Sequence, residues 1–89
     1  MRILEFWINK EGKPTQISGF EYSVAGPLGL TITQYDPTSY EGEKLASQYN
    51  VHQLPAIIAV ANSGMVLQSW FGYNMPTKDQ LKYYIDRGQ

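Results

Sequence analysis

Apolar residues in this chain come in short blocks, and the spacing within each block separates strands from helices. Ile3, Leu4, Phe6, Trp7 and Ile8 form a nearly continuous β-favouring run, which suits an interior strand covered on both faces. Asn9 to Pro14 has a loop composition that ends it. Ile17, Phe20 and Val24 then fall on one side at helical spacing between Thr15 and Gly26, with Pro27 just beyond. Gly19 inside that segment costs about 1 kcal/mol against Ala, so a short or irregular first helix is expected. Leu30 to Tyr35 alternates Leu, Ile and Gln with Thr, Thr and Tyr, a second strand left through Asp36-Pro37.

Thr38 with Glu41 reads as a capping box ahead of Leu45, Ala46 and Tyr49, a second helix stopped at Asn50. Pro55 introduces Ala56 to Val60, another run apolar on both faces and the most interior-looking strand, with proline at one of the few strand positions a sheet accepts. Asn62-Ser63-Gly64 is a tight hairpin connection to Met65 through Phe71, which makes strands three and four antiparallel neighbours. Thr77 with Gln80 forms a second capping box, followed by Leu81, Tyr84 and Ile85 on one helical stripe. The order β-α-β-α-β-β-α predicts an α/β fold with a mixed four-stranded sheet and helices on its faces.

At 89 residues the chain is expected to be a single domain, 1–89, with one core. Hydrophobic residues at 43% and charged residues at 17% describe a globular chain. A formal net charge of -1 without runs of either sign gives no footprint for a phosphate backbone, so no nucleic-acid partner is expected. There is no cysteine and only one histidine, which removes disulfides, thiolate nucleophiles and nearly every nitrogen or sulfur metal site. No metal or other cofactor is expected. Met1 to Ile8 is apolar, but Glu5 interrupts it and no small-residue cleavage site follows, so it reads as a strand and not as a signal peptide. No apolar run approaches the roughly 20 residues that span a bilayer. A soluble cytoplasmic protein is the expectation.

Three local patterns in this order resemble the thioredoxin superfamily. Ile3-Leu4-Glu5-Phe6-Trp7 looks like the first core strand of thioredoxins, in which an acidic residue precedes Phe-Trp. Val51-His52-Gln53-Leu54-Pro55 resembles the segment leading to the family's cis-proline. Gly64 in the hairpin, Gly72-Tyr73 after strand four and a closing amphipathic helix with Gln80-Leu81 fit the family's C-terminal half. The resemblance implies a three-layer thioredoxin-like fold and covers the whole chain, more securely from Tyr35 onward. Laying Phe6-Trp7 on the family's Phe-Trp puts the redox Cys-x-x-Cys near Glu11-Gly12-Lys13-Pro14. Both thiol positions hold residues that cannot exchange a disulfide, so dithiol redox activity is excluded.

The resemblance also implies candidate sites. The Leu54–Pro55 bond would be cis, with the Leu54 main chain offered to an extended peptide as an added strand beside the loop from Asn9 to Pro14. His52, Glu11, Lys13 and Tyr73 border that place and complete the candidate binding set. Glu5 sits where thioredoxins keep a buried acid, and burial would raise its pKa. An exposed strand position, or pairing with a lysine, fits the residues equally well. One imidazole is no metal site, and a solvated loop residue is the plainer reading of His52, as it is of Glu11 and Lys13. Trp70, Phe71 and Tyr73 with six further tyrosines enrich the chain in interface-favoured aromatics, although most can be absorbed by a small core. An uncharged edge from Met65 to Phe71 would invite pairing with another chain, so both a monomer and a homodimer through strand 65–71 fit. The leading expectation is a non-catalytic protein-interaction module. The alternatives are a structural or assembly subunit pairing through its edge strand, and a non-thiol enzyme using His52 with Glu11 or Glu5.

Overall fold

The computed structural model describes residues 1–89. β1 spans Arg2–Phe6, α1 Thr15–Phe20, β2 Thr31–Tyr35, α2 Tyr40–Gln48, β3 Ala56–Val60, β4 Val66–Phe71 and α3 Lys78–Asp86. The sheet order is β2-β1-β3-β4. β1 pairs parallel with β2 and antiparallel with β3, and β3 pairs antiparallel with β4. The central strands are therefore the two most continuously apolar runs in the sequence.

Side-chain alternation along β1 and β3 builds one core on each face of the sheet. Ile3, Ile57 and Ala59 pack with Ile17, Phe20, Ala25 and Leu81, so α1 and α3 cover one face. Leu4, Phe6, Ala56, Ile58 and Val60 form the other core, against which Leu45, Ala46 and Tyr49 of α2 pack. Three layers follow from two strands that must be covered on both sides.

The first helix does not stop at Gly19. It runs from Thr15 into a π-helical turn, Glu21–Ala25, in which the Gly26 N–H donates to the Glu21 carbonyl five residues back, at 2.8 Å. This widened turn buries Ala25 beside Ile17 and Phe20, so tertiary packing outweighs the glycine cost. β1 ends at Phe6, two residues before the apolar run does, because the Ile8 carbonyl accepts from Glu11 N–H in a 3-10 turn over Asn9–Glu11.

The cap of α2 also lies one residue later than the Thr38–Glu41 pattern predicts. Ser39 is the N-cap and accepts from the Gly42 N–H at 3.0 Å. Thr38 is held elsewhere, its N–H and hydroxyl both donating to Asp36 Oδ1. The Asp36-Pro37 turn competes for Thr38 and wins because Asp36 Oδ2 also takes the Asn9 N–H at 3.2 Å, tying this turn to the loop after β1. These bonds hold the Asp36 carboxyl below its ordinary range, the Thr38 hydroxyl contributing most. Asn50 stops the helix in a left-handed conformation at φ 56°. The Thr77–Gln80 capping box is present with both reciprocal bonds. Of its stripe Leu81 is buried, Tyr84 half-buried and Ile85 largely exposed.

Gly42 has no room for a side chain, since a Cβ there would overlap the Asp36 carbonyl. Gly42→Ala is expected to lower unfolding free energy by about 3 kcal/mol or more. Ser39→Ala, which loses only the cap, should cost about 1 kcal/mol. Urea unfolding of the two variants checks the order, and a Gly42→Ala variant as stable as the parent would contradict the close approach.

Candidate functional site

Two loops leave the same end of the central strands, residues 7–14 after β1 and 51–55 before β3. The Leu54–Pro55 peptide bond is cis. Around it the chain is braced by three neighbours. Val51 N–H donates to the Ala46 carbonyl at 2.8 Å, which ties the loop to the end of α2. Gly72 N–H donates to the Pro55 carbonyl at 2.8 Å, extending the β3–β4 ladder by one pair. Gly72 has φ 65°, and a Cβ there would come within 2.6 Å of Gln53 Nε2, so the Gln53 amide lies directly over a position open only to glycine. His52 packs against Phe71, ring centroids 4.2 Å apart and planes tilted by 32°. Held between these contacts, Leu54 is exposed, and neither its N–H nor its C=O makes a hydrogen bond within the chain.

The second loop lies over a buried carboxyl. Glu5 is only 1% exposed, on the α1 face of β1, which settles the choice left open by the sequence. Trp7 Nε1 donates to its Oε1 at 3.2 Å, while Oε2 is buried without a donor. Lys13 does not reach it. The Lys13 ammonium instead donates to Glu21 Oε1 at 2.7 Å and lies 5.9 Å from the centre of the Trp7 ring. Lys13 is thus an exposed loop residue, as expected, whose ion pair reaches from before α1 to the residue just past its end, and Glu21 raises its pKa. The Glu5 carboxyl is pushed up to about 7. Burial contributes most, and a hydrogen bond from the protonated acid to Glu21 adds to it. Trp7 N–H and the Lys13 charge act in the opposite direction.

Glu21 has no place in the sequence-based site, yet a signal for it was present. It stands four residues after Ile17 and three before Val24, which puts a carboxylate on the apolar stripe of the first helix. Glu11 and Tyr73 are exposed, Tyr73 at 86%, and neither makes a side-chain hydrogen bond or ion pair. His52 and Glu5 do not converge: Glu5 faces α1, whereas Phe71, against which His52 packs, belongs to the α2 face. His52 and Glu11 share no hydrogen bond. No three of the histidine and carboxylate side chains lie close enough together to hold a metal ion.

A parallel β1–β2 pair with β3–β4 added antiparallel, helices on both faces and a cis-proline opening β3 define a thioredoxin-like fold. Thioredoxin 1 from the thermophilic eubacterium Thermosipho africanus superposes with a TM-score of 0.70 over 99% of this chain and 98% of its own, at 16% identity. Fasciola hepatica thioredoxin gives 0.65 over 98% and 79% at 18% identity, and a thioredoxin from Thermus thermophilus 0.60 over 97% and 71% at 17%. No protein-family model and no curated protein matches the sequence. Likeness at these identities establishes the fold alone. With no cysteine in the chain, there is no dithiol to exchange.

The Glu5 environment sets the sign of a pH dependence. An acid whose pKa rises from 4.5 unfolded to about 7 folded binds more protons when folded, so its contribution to stability falls as pH rises through that window. The loss amounts to about 3 kcal/mol and is complete above pH 7. Glu5→Gln keeps an acceptor for Trp7 and a donor toward Glu21 without the charge. Its stability should match the parent near pH 4 and exceed it at pH 8. Denaturant unfolding across that range checks this, and a variant less stable than the parent at pH 8 would refute it.

Proposed function

We propose that this chain is a single-domain, non-catalytic interaction module that accepts an extended polypeptide segment at Leu54. What carries the reading is the unpaired Leu54 main chain, exposed beside a cis-proline and fixed from behind by Gly72, Gln53 and His52. A free donor and acceptor on one exposed residue is the elementary unit of strand addition. Glu11 and Tyr73, exposed with polar tips uncommitted, are the side chains we assign to the rim. The thioredoxin-like fold supports the reading only as a scaffold that presents such a loop.

Affinity capture on the immobilised chain, followed by amide shift mapping with the segment of the partner that binds, tests it. Shifts should centre on residues 52–55 and 72–75. Leu54→Pro deletes the free N–H, which has no partner within the chain, and is expected to weaken binding about tenfold. Shifts elsewhere, or full affinity in the proline variant, would remove this reading.

A further inference from the structure

β4 is an edge strand, but its edge is not a uniform row of free backbone groups. The Gly72–Pro55 hydrogen bond fixes the phase of the β3–β4 ladder. With Trp70 opposite Ile57 and Ser69 opposite Ile58, alternation turns the backbone groups of Trp70 and Gln68 toward β3 and those of Ser69 and Phe71 outward. One end of this edge is closed, Phe71 C=O accepting from Asn74 N–H at 3.2 Å. The other end is crowded by Tyr84, whose hydroxyl lies 3.5 Å from the Leu67 C=O while donating to Gln68 Oε1. Between them the N–H and C=O of Ser69 and the N–H of Phe71 stay open.

That stretch is the floor of a cleft of about 540 Å3 that takes in Gln68 through Phe71. One wall is His52 and Gln53, and the other comes from Asn74, Thr77 and Gln80. No lysine, arginine or carboxylate lines it. The side-chain donors are preset. Gln80 Oε1 is engaged by Thr77 N–H in the capping box, and Gln68 Oε1 accepts the Tyr84 hydroxyl at 3.0 Å. Both glutamines therefore have their Nε2 donors left over. A four-residue floor of strand edge between two walls has the form of a slot for one extended chain. A second copy of β4 would carry the same walls with it, so an isolated segment fits this edge better than a twofold partner.

We propose that the slot between residues 52–53 and 74–80 binds an uncharged, polar extended segment of another polypeptide, adding it as a fifth strand beside β4. Its main chain pairs with Ser69 and Phe71, and its Ser, Thr, Asn or Gln side chains supply acceptors to Gln68 and Gln80 Nε2. Charged side chains are rejected because no group in the cleft can compensate them. This site is independent of the Leu54 main chain.

The test pans a random nonapeptide display library against the whole chain and takes the tightest binder as a capped synthetic peptide. The expected binder is uncharged over its central residues and shifts the Ser69 and Phe71 amides and the Gln68 and Gln80 side-chain NH2 signals. Ser69→Pro removes the outward N–H without breaking a bond to β3, an exchange edge strands tolerate. It should lower affinity at least about tenfold, and Ser69→Lys, which keeps the backbone intact, should do the same by putting a charge in the slot. The proposal is overturned by failure to select any peptide tighter than millimolar, by unchanged affinity in both Ser69 variants, or by a charged binder. Shifts at residues 52–55 with sensitivity to Leu54→Pro would overturn it while upholding the Leu54 reading. A dimer by light scattering that Ser69→Lys dissociates would give the edge to a second copy instead.

Discussion

The antiparallel pairing of β1 with β3 puts Ile3, Leu4, Phe6, Ile57, Ile58 and Val60 out of contact with water on both faces of the sheet. Two adjacent strands of that kind cannot be stable with one layer of cover, so helices are required above and below. The parallel β1–β2 step supplies α1 on one face, since a parallel neighbour can only be reached by a crossover. α2 then crosses on the opposite face before β3, and α3 returns to the first. With the centre fixed in this way, β2 and β4 become the edges, and the loops at 7–14 and 51–55 meet at one end of the central pair. Both candidate binding places are consequences of that arrangement: Leu54 opens the way into β3, and the slot runs along the far side of its partner β4.

Glu5 is the one polar member of this centre. In hydrocarbon surroundings an ionised carboxylate carries a hydration cost that a single Trp7 N–H does not offset. Protonation removes the cost and turns the unpartnered Oε2 side of the carboxyl into a donor toward Glu21. Glu21, with Lys13 on its far side, then faces a neutral acid instead of a second charge. The π-helical turn begins at Glu21, so the same stretch that widens to bury Ala25 also carries this carboxylate to the helix side facing the sheet. The protonation of Glu5 is coupled to folding, so its pH dependence is a property of the fold.

Much of this was legible in the residues. The two interior strands, the hairpin at Asn62-Ser63-Gly64 and the Thr77–Gln80 box rest on local signals that nothing else in the chain contradicts. The α2 cap was misread by one residue because Thr38 and Ser39 are both good caps, and the choice depends on Asp36 being tied to Asn9, a contact 27 residues distant. The span and irregularity of the first helix were legible from the Ile17, Phe20 and Val24 spacing and from Gly19, whereas its π-helical turn was not, because the gain from burying Ala25 is tertiary. In the site, Pro55 and Glu5 could be found because they stand in motifs. Their partners could not: Gln53 over Gly72 and Lys13 with Glu21 are pairings that no periodicity encodes.

The affinity that a free backbone polar group can give a ligand depends on how rigidly the group is already held. A mobile loop with free N–H groups loses entropy whenever it is ordered by a ligand, which reduces the affinity those groups can give. The free groups at Leu54 and Ser69 are of the other kind. The Leu54 segment is braced by the Val51–Ala46 and Gly72–Pro55 hydrogen bonds on either side of it, and Ser69 by its place in the β3–β4 ladder. Neither residue has to be ordered before it can pair. The engagement of the Phe71 carbonyl by Asn74 works in the same direction, since it ends the free edge of β4 there, and Tyr84 crowds the edge at Leu67. The two places meet at the His52–Gln53 segment, which precedes Leu54 in the chain and lines the cleft beside β4, so one segment borders both sets of preset hydrogen-bonding groups.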